Sequence, residues 1–154
     1  MIRELKNTDI EQLTKLLINY DKNIENHFNF SYYLSNDIYS QYVYVINDKI
    51  VGYVLITVID TLVEIHLLYV DNLFRNQKFG TKLMDYIINK YSNFRFLLEV
   101  SINNYIAIKL YENMNFKIIN IRKKYYNKEE LNELDKVMLV LNEEDNNNLS
   151  KLYK

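Results

Sequence analysis

The segment Arg75-Asn-Gln-Lys-Phe-Gly-Thr81 decides the fold of this chain. It follows a β-patterned run, Leu67 to Val70, and precedes an amphipathic run, Leu83 to Tyr91. A strand that feeds a short Gly-containing loop and then a helix places unpaired N–H groups and the positive end of the helix dipole at that loop. Such an arrangement binds anions, so the segment predicts a phosphate site.

Length and composition indicate an ordinary globular protein. The chain has 154 residues, of which 49% are hydrophobic and 25% charged, the balance of a folded domain rather than of a disordered one. We expect a single domain over residues 1–142 and a frayed tail over 143–154, where three consecutive Asn residues occur. The formal net charge of −1 gives no support to nucleic-acid binding driven by net charge. The composition carries no signal for the oligomeric state.

Cysteine is absent, and the two histidines are His27 and His66. We therefore expect no disulfide, no thiolate chemistry and no metal site. No apolar run approaches the length of a membrane span, and the first residues lack the apolar core of a signal peptide. These features predict a cytoplasmic protein without a membrane partner.

Hydrophobic periodicity predicts alternating strands and helices. Thr8-x-x-Glu11 is the pattern of a capping box that opens the first helix, and Asn47-Asp-Lys49 separates two β-rich runs as a hairpin would. The strands are predicted at residues 1–5, 42–46, 50–59, 62–70, 94–101, 116–125 and 137–141, and the helices after residue 8, at 29–36, from about 80 and at 104–114. The order β-α-α-β-β-β-α-β-α-β-β predicts a mixed α/β fold with one crossover connection.

Motif and element order together resemble the GNAT superfamily of acyl-CoA N-acetyltransferases. The family's cofactor loop, Arg/Gln-x-x-Gly-x-Gly/Ala after a strand that ends in Val, corresponds here to the segment from Val70 to Gly80. The resemblance continues through Leu98-Glu-Val100, Asn104-x-x-Ala-x-x-Leu-Tyr111 and Phe116. Within the superfamily, these segments and Ile121-Arg-x-x-Tyr-Tyr126 are most similar to the RimI-like alanine N-acetyltransferases of ribosomal proteins. The resemblance implies a mixed, mostly antiparallel seven-stranded sheet flanked by helices.

Two positions depart from the family pattern, because Lys78 replaces the first loop glycine and Asn115 replaces the glycine that usually precedes Phe116. Glycine is favoured where the backbone takes a positive φ or approaches a ligand closely, and another side chain there costs about 1 kcal/mol. Asn115 is the milder departure, since Asn tolerates the left-handed end of a helix. Lys78 either narrows the phosphate cradle or contributes a charged contact to the phosphates.

The resemblance implies that acetyl-CoA is the cosubstrate and that no metal takes part. Backbone groups at the end of the fourth strand would pair with the pantetheine arm, the N–H groups of Asn76 to Thr81 would hold the pyrophosphate, and the Asn104 side chain would hold the pantetheine. The implied cofactor-binding residues are Leu68, Tyr69, Val70, Arg75, Asn76, Gln77, Lys78, Phe79, Gly80, Thr81 and Asn104.

The resemblance also implies proton-transfer groups. Tyr111 would be the general acid for the departing thiolate, although its helical spacing with Ala107 equally indicates a core position. Glu99 corresponds to the general base of RimI-like enzymes, and Glu64 falls where GNAT enzymes that acetylate lysine side chains carry their glutamate. His66 shares the side-chain direction of Glu64 by strand alternation and ranks third, since a packed strand histidine is its simpler role.

The favoured acceptor is the α-amine of a protein N-terminus. Its reference pKa is about 8, against about 10.4 for lysine, so a modest base is sufficient to neutralise it. By resemblance, Tyr125 and Tyr126 would contact the first residues of the acceptor peptide. Two alternatives remain open: a GNAT enzyme that acetylates a small-molecule amine, such as a polyamine, an aminoglycoside or an amino acid, and a non-catalytic GNAT-shaped binding module.

Overall fold

A computed structural model describes residues 1–121 and 136–141 of the chain. It divides the chain into two compact units, which are described separately below. The first comprises Met1–Ile59 and Ile65–Ser92, and the second comprises Asp60–Glu64 and the chain from Asn93 onward. The predicted tail over 143–154 lies outside the described residues, and the single-domain organisation stays a prediction.

The elements follow the predicted order, with one additional short helix, α2. The strands are β1 (Ile2–Glu4), β2 (Tyr39–Ile46), β3 (Lys49–Ile59), β4 (Leu62–Val70), β5 (Arg95–Ser101), β6 (Lys117–Ile121) and β7 (Lys136–Leu141). The helices are α1 (Ile10–Leu17), α2 (Ile24–His27), α3 (Phe30–Leu34), α4 (Phe79–Lys90) and α5 (Tyr105–Asn113). Among the described residues, no helix has both the length and the apolar character needed to cross a bilayer.

Strands β1, β2 and β3 and the part of β4 from Ile65 are neighbours in chain order in the first unit. Strand β1 pairs antiparallel with β2, and β2 pairs antiparallel with β3. The predicted hairpin between β2 and β3 is confirmed, and its turn consists of Asn47 and Asp48 at φ values of 48° and 63°. Asn and Asp tolerate this left-handed region better than most side chains do. Lys49 belongs to β3 rather than to the turn.

The capping box predicted at Thr8 and Glu11 is wrong, because Asp9 is the residue that precedes α1. The Asp9 carboxylate accepts a hydrogen bond from the Lys6 backbone N–H at 2.8 Å and from the Arg3 guanidinium at 2.7 Å. Asp9 therefore stabilises the connection between the end of β1 and the start of α1. A buried, paired carboxylate satisfies more donors here than the hydroxyl of Thr8 could.

Apolar side chains from both helices and strands form the core of the first unit. Leu13 and Leu17 of α1 are fully buried, at the spacing of one helical face. They share one hydrophobic cluster with Ile24, Phe30 and Tyr53. Burial of this stripe explains why a chain with few strong capping signals still forms α1 at this place.

The second unit contains β5, β7 and β6 as neighbours in that order. Strand β5 pairs parallel with β7, and β6 pairs parallel with β7. With the antiparallel pairs of the first unit, the strand pairing is mixed, in agreement with the predicted α/β class. Phe96, Tyr111, Phe116 and Met138 are buried in this unit.

Candidate functional site

The loop between β4 and α4 has the backbone shape that a glycine-containing phosphate loop needs. Asn76 and Lys78 both lie in the left-handed region, with φ values of 62° and 65°. Helix α4 then begins at Phe79. The conformation at Lys78 explains why glycine is favoured there, and a lysine adopts it at a cost of about 1 kcal/mol.

The start of α4 supplies the donors for an anion. The Lys82 N–H donates to the Lys78 carbonyl at 2.9 Å, closing the first turn of the helix. The N–H groups of Phe79, Gly80 and Thr81 therefore precede the helical hydrogen-bond ladder and lie at the positive end of the helix dipole. A helix start of this kind binds phosphate groups in many proteins, and the binding of an acyl-CoA pyrophosphate by these residues stays a prediction.

Arg75 ties the loop back to the strand before it. Its Nε donates to the Val70 carbonyl at 3.1 Å, and its guanidinium carbon lies 5.4 Å from the centre of the Tyr69 ring. Farther along the loop, the Gln77 side-chain amide donates to the Leu73 carbonyl at 3.5 Å. These contacts hold the segment in place at two points before the helix begins.

Asp71 is a residue of this loop that sequence reasoning missed. Its side chain accepts a hydrogen bond from the Leu73 N–H at 3.1 Å and lies 3.6 Å from the Lys49 ammonium. The signal that could have identified it is an Asp immediately after a strand, at the usual capping position of the short 3₁₀ turn that follows.

The end of β4 shows the alternation expected of a strand. Tyr69 and Leu67 are buried, whereas Leu68 and Val70 are half-buried. The pairing of this strand end with a pantetheine arm stays a prediction. His66, the third-ranked base, is exposed, and its Nε2 lies 2.8 Å from the Thr57 hydroxyl, a contact that gives it a structural role.

Both carboxylates predicted as bases belong to the second unit. Glu99 lies on β5 with its side chain reaching solvent, and Glu64 is half-buried at the beginning of β4. Partial burial of the carboxyl group, and secondarily the negative charge of Glu64, raise the pKa of Glu99 above its ordinary value. A carboxylate with a raised pKa is a stronger proton acceptor once it is ionised.

Tyr111 is 7% exposed and lies at the end of α5. The Phe116 N–H donates to the Tyr111 carbonyl, and the Asn115 N–H donates to the Glu112 carbonyl, both at 3.0 Å. With Asn115 at a φ of 68°, this is the Schellman arrangement of a helix end. The Tyr111 and Phe116 rings lie 5.7 Å apart. Asn115 therefore fulfils the backbone role of the missing glycine.

Asn104 has a structural function at the other end of α5. Its Oδ1 accepts a hydrogen bond from the Ala107 N–H at 3.2 Å, which caps the helix. This contact engages the side-chain oxygen, so a bound pantetheine carbonyl would meet the amide nitrogen. The predicted role of Asn104 toward the cofactor stays a prediction.

Two predicted substrate residues, Tyr125 and Tyr126, lie outside the described residues. Within residues 1–121 and 136–141, no group of three or more His, Asp or Glu side chains is placed to hold a metal ion. In the first unit, the described residues with a predicted site role lie in the loop and at the start of α4. In the second unit, they are Glu64, Glu99, Asn104 and Tyr111.

Comparison with known protein families identifies the family of this chain. The model of the acetyltransferase (GNAT) family matches residues 6–116, a span that includes the phosphate loop, Glu99 and Tyr111. The chain belongs to the GNAT acetyltransferase family. The predicted family resemblance and fold class are thereby confirmed, and the protein is an acetyl-CoA-dependent N-acetyltransferase with an amine as acceptor.

Solved structures share this GNAT fold. The ribosomal-protein-S18-alanine N-acetyltransferase from Escherichia coli aligns with a TM-score of 0.66 at 22% identity, covering 86% of this chain and 87% of that one. An aminoglycoside N-acetyltransferase in complex with a CoA-based bisubstrate analogue aligns with a TM-score of 0.67 at 15% identity, covering 83% and 97%. An aminoglycoside acetyltransferase from an uncultured soil metagenomic sample gives a TM-score of 0.62 at 21% identity, covering 73% and 85%. No curated protein matches the chain significantly.

Proposed function

We propose that this GNAT enzyme acetylates the N-terminal α-amine of a protein, in the manner of the RimI-like alanine N-acetyltransferases. The observation that carries the proposal is the place of Glu99 on β5, the position that the family resemblance gives to the base of RimI-like enzymes. Burial of the carboxyl group, and after it the charge of Glu64, raise the pKa of Glu99. The fold likeness to the Escherichia coli S18-alanine enzyme, over 86% of this chain, supports it. We propose a cytoplasmic location for the enzyme, where newly made protein N-termini occur.

The α-amine suits Glu99 as its base. An amine attacks an acetyl carbonyl only when it is neutral, and an α-amine has a pKa of about 8 against about 10.4 for lysine. A carboxylate whose pKa is raised accepts a proton more readily than an ordinary Glu does. Glu99 therefore removes the proton of an α-amine, directly or through one water, at a smaller energetic cost than that of a lysine side chain.

Tyr111 is the proposed acid of the reaction. As the amine nitrogen bonds to the acetyl carbon, the carbon–sulfur bond breaks and the thiolate receives the Tyr111 hydroxyl proton. Glu99 first accepts the ammonium proton and passes it to solvent, so that the neutral amine attacks. It then accepts the proton that the nitrogen loses as the amide forms, and Tyr111 regains its proton from solvent after the thiol leaves. The transfer is direct, without a covalent enzyme intermediate, as the family resemblance implies. The chain also has no Cys that could carry the acetyl group as a thioester.

Donor binding is the proposed work of the first unit. The N–H groups of Phe79, Gly80 and Thr81 bind the pyrophosphate, as a helix N-terminus does. Lys78 compensates for the missing glycine, because its ammonium adds a charged contact to the same phosphates. Acetyl-CoA supplies the activated acetyl group when it is bound.

A second candidate acceptor is a small-molecule amine. The observation in its favour is the fold likeness to the aminoglycoside enzyme, because the alignment with this chain covers 97% of that enzyme. This function predicts that the enzyme acetylates free amines and that replacement of Tyr125 and Tyr126 leaves its activity unchanged.

Steady-state rates on a matched acceptor panel test the proposal. The panel contains peptides that begin with Ala, the same peptides blocked at the N-terminus but carrying a free lysine, and an aminoglycoside and a polyamine. We expect kcat/KM to be highest for the free Ala N-terminus and the blocked peptides to be inactive. Faster transfer to an aminoglycoside or polyamine than to every peptide would overturn the assignment in favour of the small-molecule function.

A further inference from the structure

Asp71 is a buried carboxylate at the point where the donor-binding loop leaves the sheet. It is 8% exposed, and its backbone N–H donates to the Val51 carbonyl of β3 at 2.8 Å. Its side chain accepts from the Leu73 N–H at 3.1 Å. The residue thus joins the edge of β3 to the first turn of the loop.

Lys49 compensates the charge of Asp71. The Lys49 ammonium lies 3.6 Å from the Asp71 Oδ2, with the two side chains 53% and 12% exposed. A carboxylate as buried as this one is costly without a partner charge or hydrogen bonds. The same ammonium lies 5.5 Å from the centre of the Phe74 ring, so Lys49 contacts both ends of the 3₁₀ turn over Asn72–Phe74.

Contacts between aromatic rings link this 3₁₀ turn to the start of α4. The ring of Phe74 lies 6.1 Å from that of Phe79, the first residue of α4, and Phe79 lies 4.8 Å from Tyr44 of β2. The four residues between the two phenylalanines include both left-handed positions, Asn76 and Lys78. A segment with two such residues keeps one shape only when both of its ends are fixed.

We propose that Asp71, charge-paired with Lys49, is a positioning residue for acetyl-CoA binding. The ion pair holds the 3₁₀ turn in one conformation. The turn in turn restrains the strained segment that follows it, and this segment sets the direction in which the N–H groups of Gly80 and Thr81 point toward the pyrophosphate. Neither side chain needs to touch the cofactor. The proposal rests on the first unit being the donor site and is independent of which amine is the acceptor.

Two substitutions test the proposal by calorimetric titration with acetyl-CoA. Lys49→Met keeps an unbranched side chain and removes the ammonium that lies near Asp71 and Phe74. Asp71→Asn keeps an acceptor for Leu73 and removes the charge of the carboxylate. We expect each to raise the Kd for acetyl-CoA by about 3- to 10-fold. We expect kcat at saturating donor to stay within about twofold of the unchanged protein.

Lys15→Met is the matched control, since Lys15 also forms an ion pair with a carboxylate, that of Glu11, at 2.9 Å, but away from the loop. It should leave the Kd unchanged. A Kd for Lys49→Met and Asp71→Asn equal to that of the unchanged protein, even with a lower Tm, overturns the positioning role and leaves only a structural one. Absence of acetyl-CoA binding by the unchanged protein would overturn the donor site itself, whereas an inactive peptide panel would affect only the proposed acceptor.

Discussion

Partial burial of the Glu99 carboxyl group raises its pKa, and the negative charge of Glu64 raises it further. Both residues belong to the second unit, Glu64 at the beginning of β4 and Glu99 on β5. A nearby negative charge disfavours the ionised form of a carboxyl group, and a carboxylate with a raised pKa is the better proton acceptor once it is ionised. This relationship supports Glu99 as the base, and substitution of either glutamate tests it.

Replacement of Glu99 by Gln removes the proposed base and retains the shape of the side chain. We expect kcat to fall by about 10²- to 10⁴-fold and the acidic limb of the pH profile to disappear. The Kd for acetyl-CoA should not change. Full activity of Glu99→Gln, together with a large loss in Glu64→Gln, would reverse the ranking of the two bases.

Replacement of Glu64 by Gln removes a negative charge that adds to the larger effect of burial in raising the pKa of Glu99. The pKa of Glu99 then decreases, so Glu99 stays ionised to a lower pH. The acidic limb of log kcat/KM against pH should therefore move to lower pH, while the rate on the plateau changes little. If the acidic limb of Glu64→Gln lies at the same pH as that of the unchanged protein, the limb does not reflect the ionisation of Glu99.

Tyr111→Phe removes a hydroxyl and keeps the ring that packs on Phe116 at 5.7 Å. We expect a large fall in kcat with little change in the Kd for acetyl-CoA, because the proton for the thiolate is needed only during the reaction. Steady-state rates and titration calorimetry on the same preparation measure the two quantities. A variant that is fully active at saturating substrates would show that Tyr111 is a core residue alone.

Lys78 combines a strained backbone with a positive charge, and two variants separate these features. Lys78→Gly relieves a left-handed conformation that costs about 1 kcal/mol, so we expect a higher Tm. Lys78→Met keeps the strain and removes the charge. We expect both to bind acetyl-CoA more weakly, as the charged contact is lost, and the binding to depend less on salt. Unchanged affinity in both variants would exclude a phosphate contact by Lys78.

The pairing of Asp9 predicts how stability depends on pH. The Arg3 hydrogen bond, and after it the backbone N–H of Lys6, lower the pKa of Asp9. A carboxyl group with a lowered pKa stabilises the fold above its unfolded pKa of about 3.9, and this contribution is lost as the pH falls through the folded value. Asp9→Asn should cost about 1–3 kcal/mol at pH 7.

Thermal melts of Asp9→Asn and the unchanged protein at several pH values measure this effect. The difference in Tm should be large at neutral pH and shrink toward strongly acidic pH. Glu11→Gln is the control, because Glu11 forms an exposed ion pair and should change Tm little. A Tm difference that is constant across the whole pH range would contradict the charge-based explanation.

Much of the fold was predictable because it depends on periodic burial. The apolar stripe of α1 and the strand β4, which has the predicted bounds Leu62–Val70, follow from side-chain spacing alone. Helix α2 has only four residues, too few for a 3.6-residue period to be visible, and it was missed. The entry to α1 was assigned to Thr8 because the local pattern does not show that Arg3 is close enough to pair with Asp9.

The site was predictable where local sequence determines the backbone. The loop before α4 and the helix end at Asn115 follow from short-range patterns, and each has the left-handed residue that the family pattern requires. The ion pair between Lys49 and Asp71 joins residues that are 22 positions apart in sequence. A local sequence pattern cannot predict such a contact. The influence of Glu64 on the pKa of Glu99 likewise depends on tertiary structure.

Calorimetric titration of the purified protein with acetyl-CoA, with desulfo-CoA as a non-reactive control, tests most directly whether the Lys78-containing loop is a working donor site. We predict binding of both ligands at one site per chain with micromolar or tighter affinity. The absence of a binding heat for either ligand, from a protein that melts cooperatively, would contradict the donor site and every mechanistic step that depends on it.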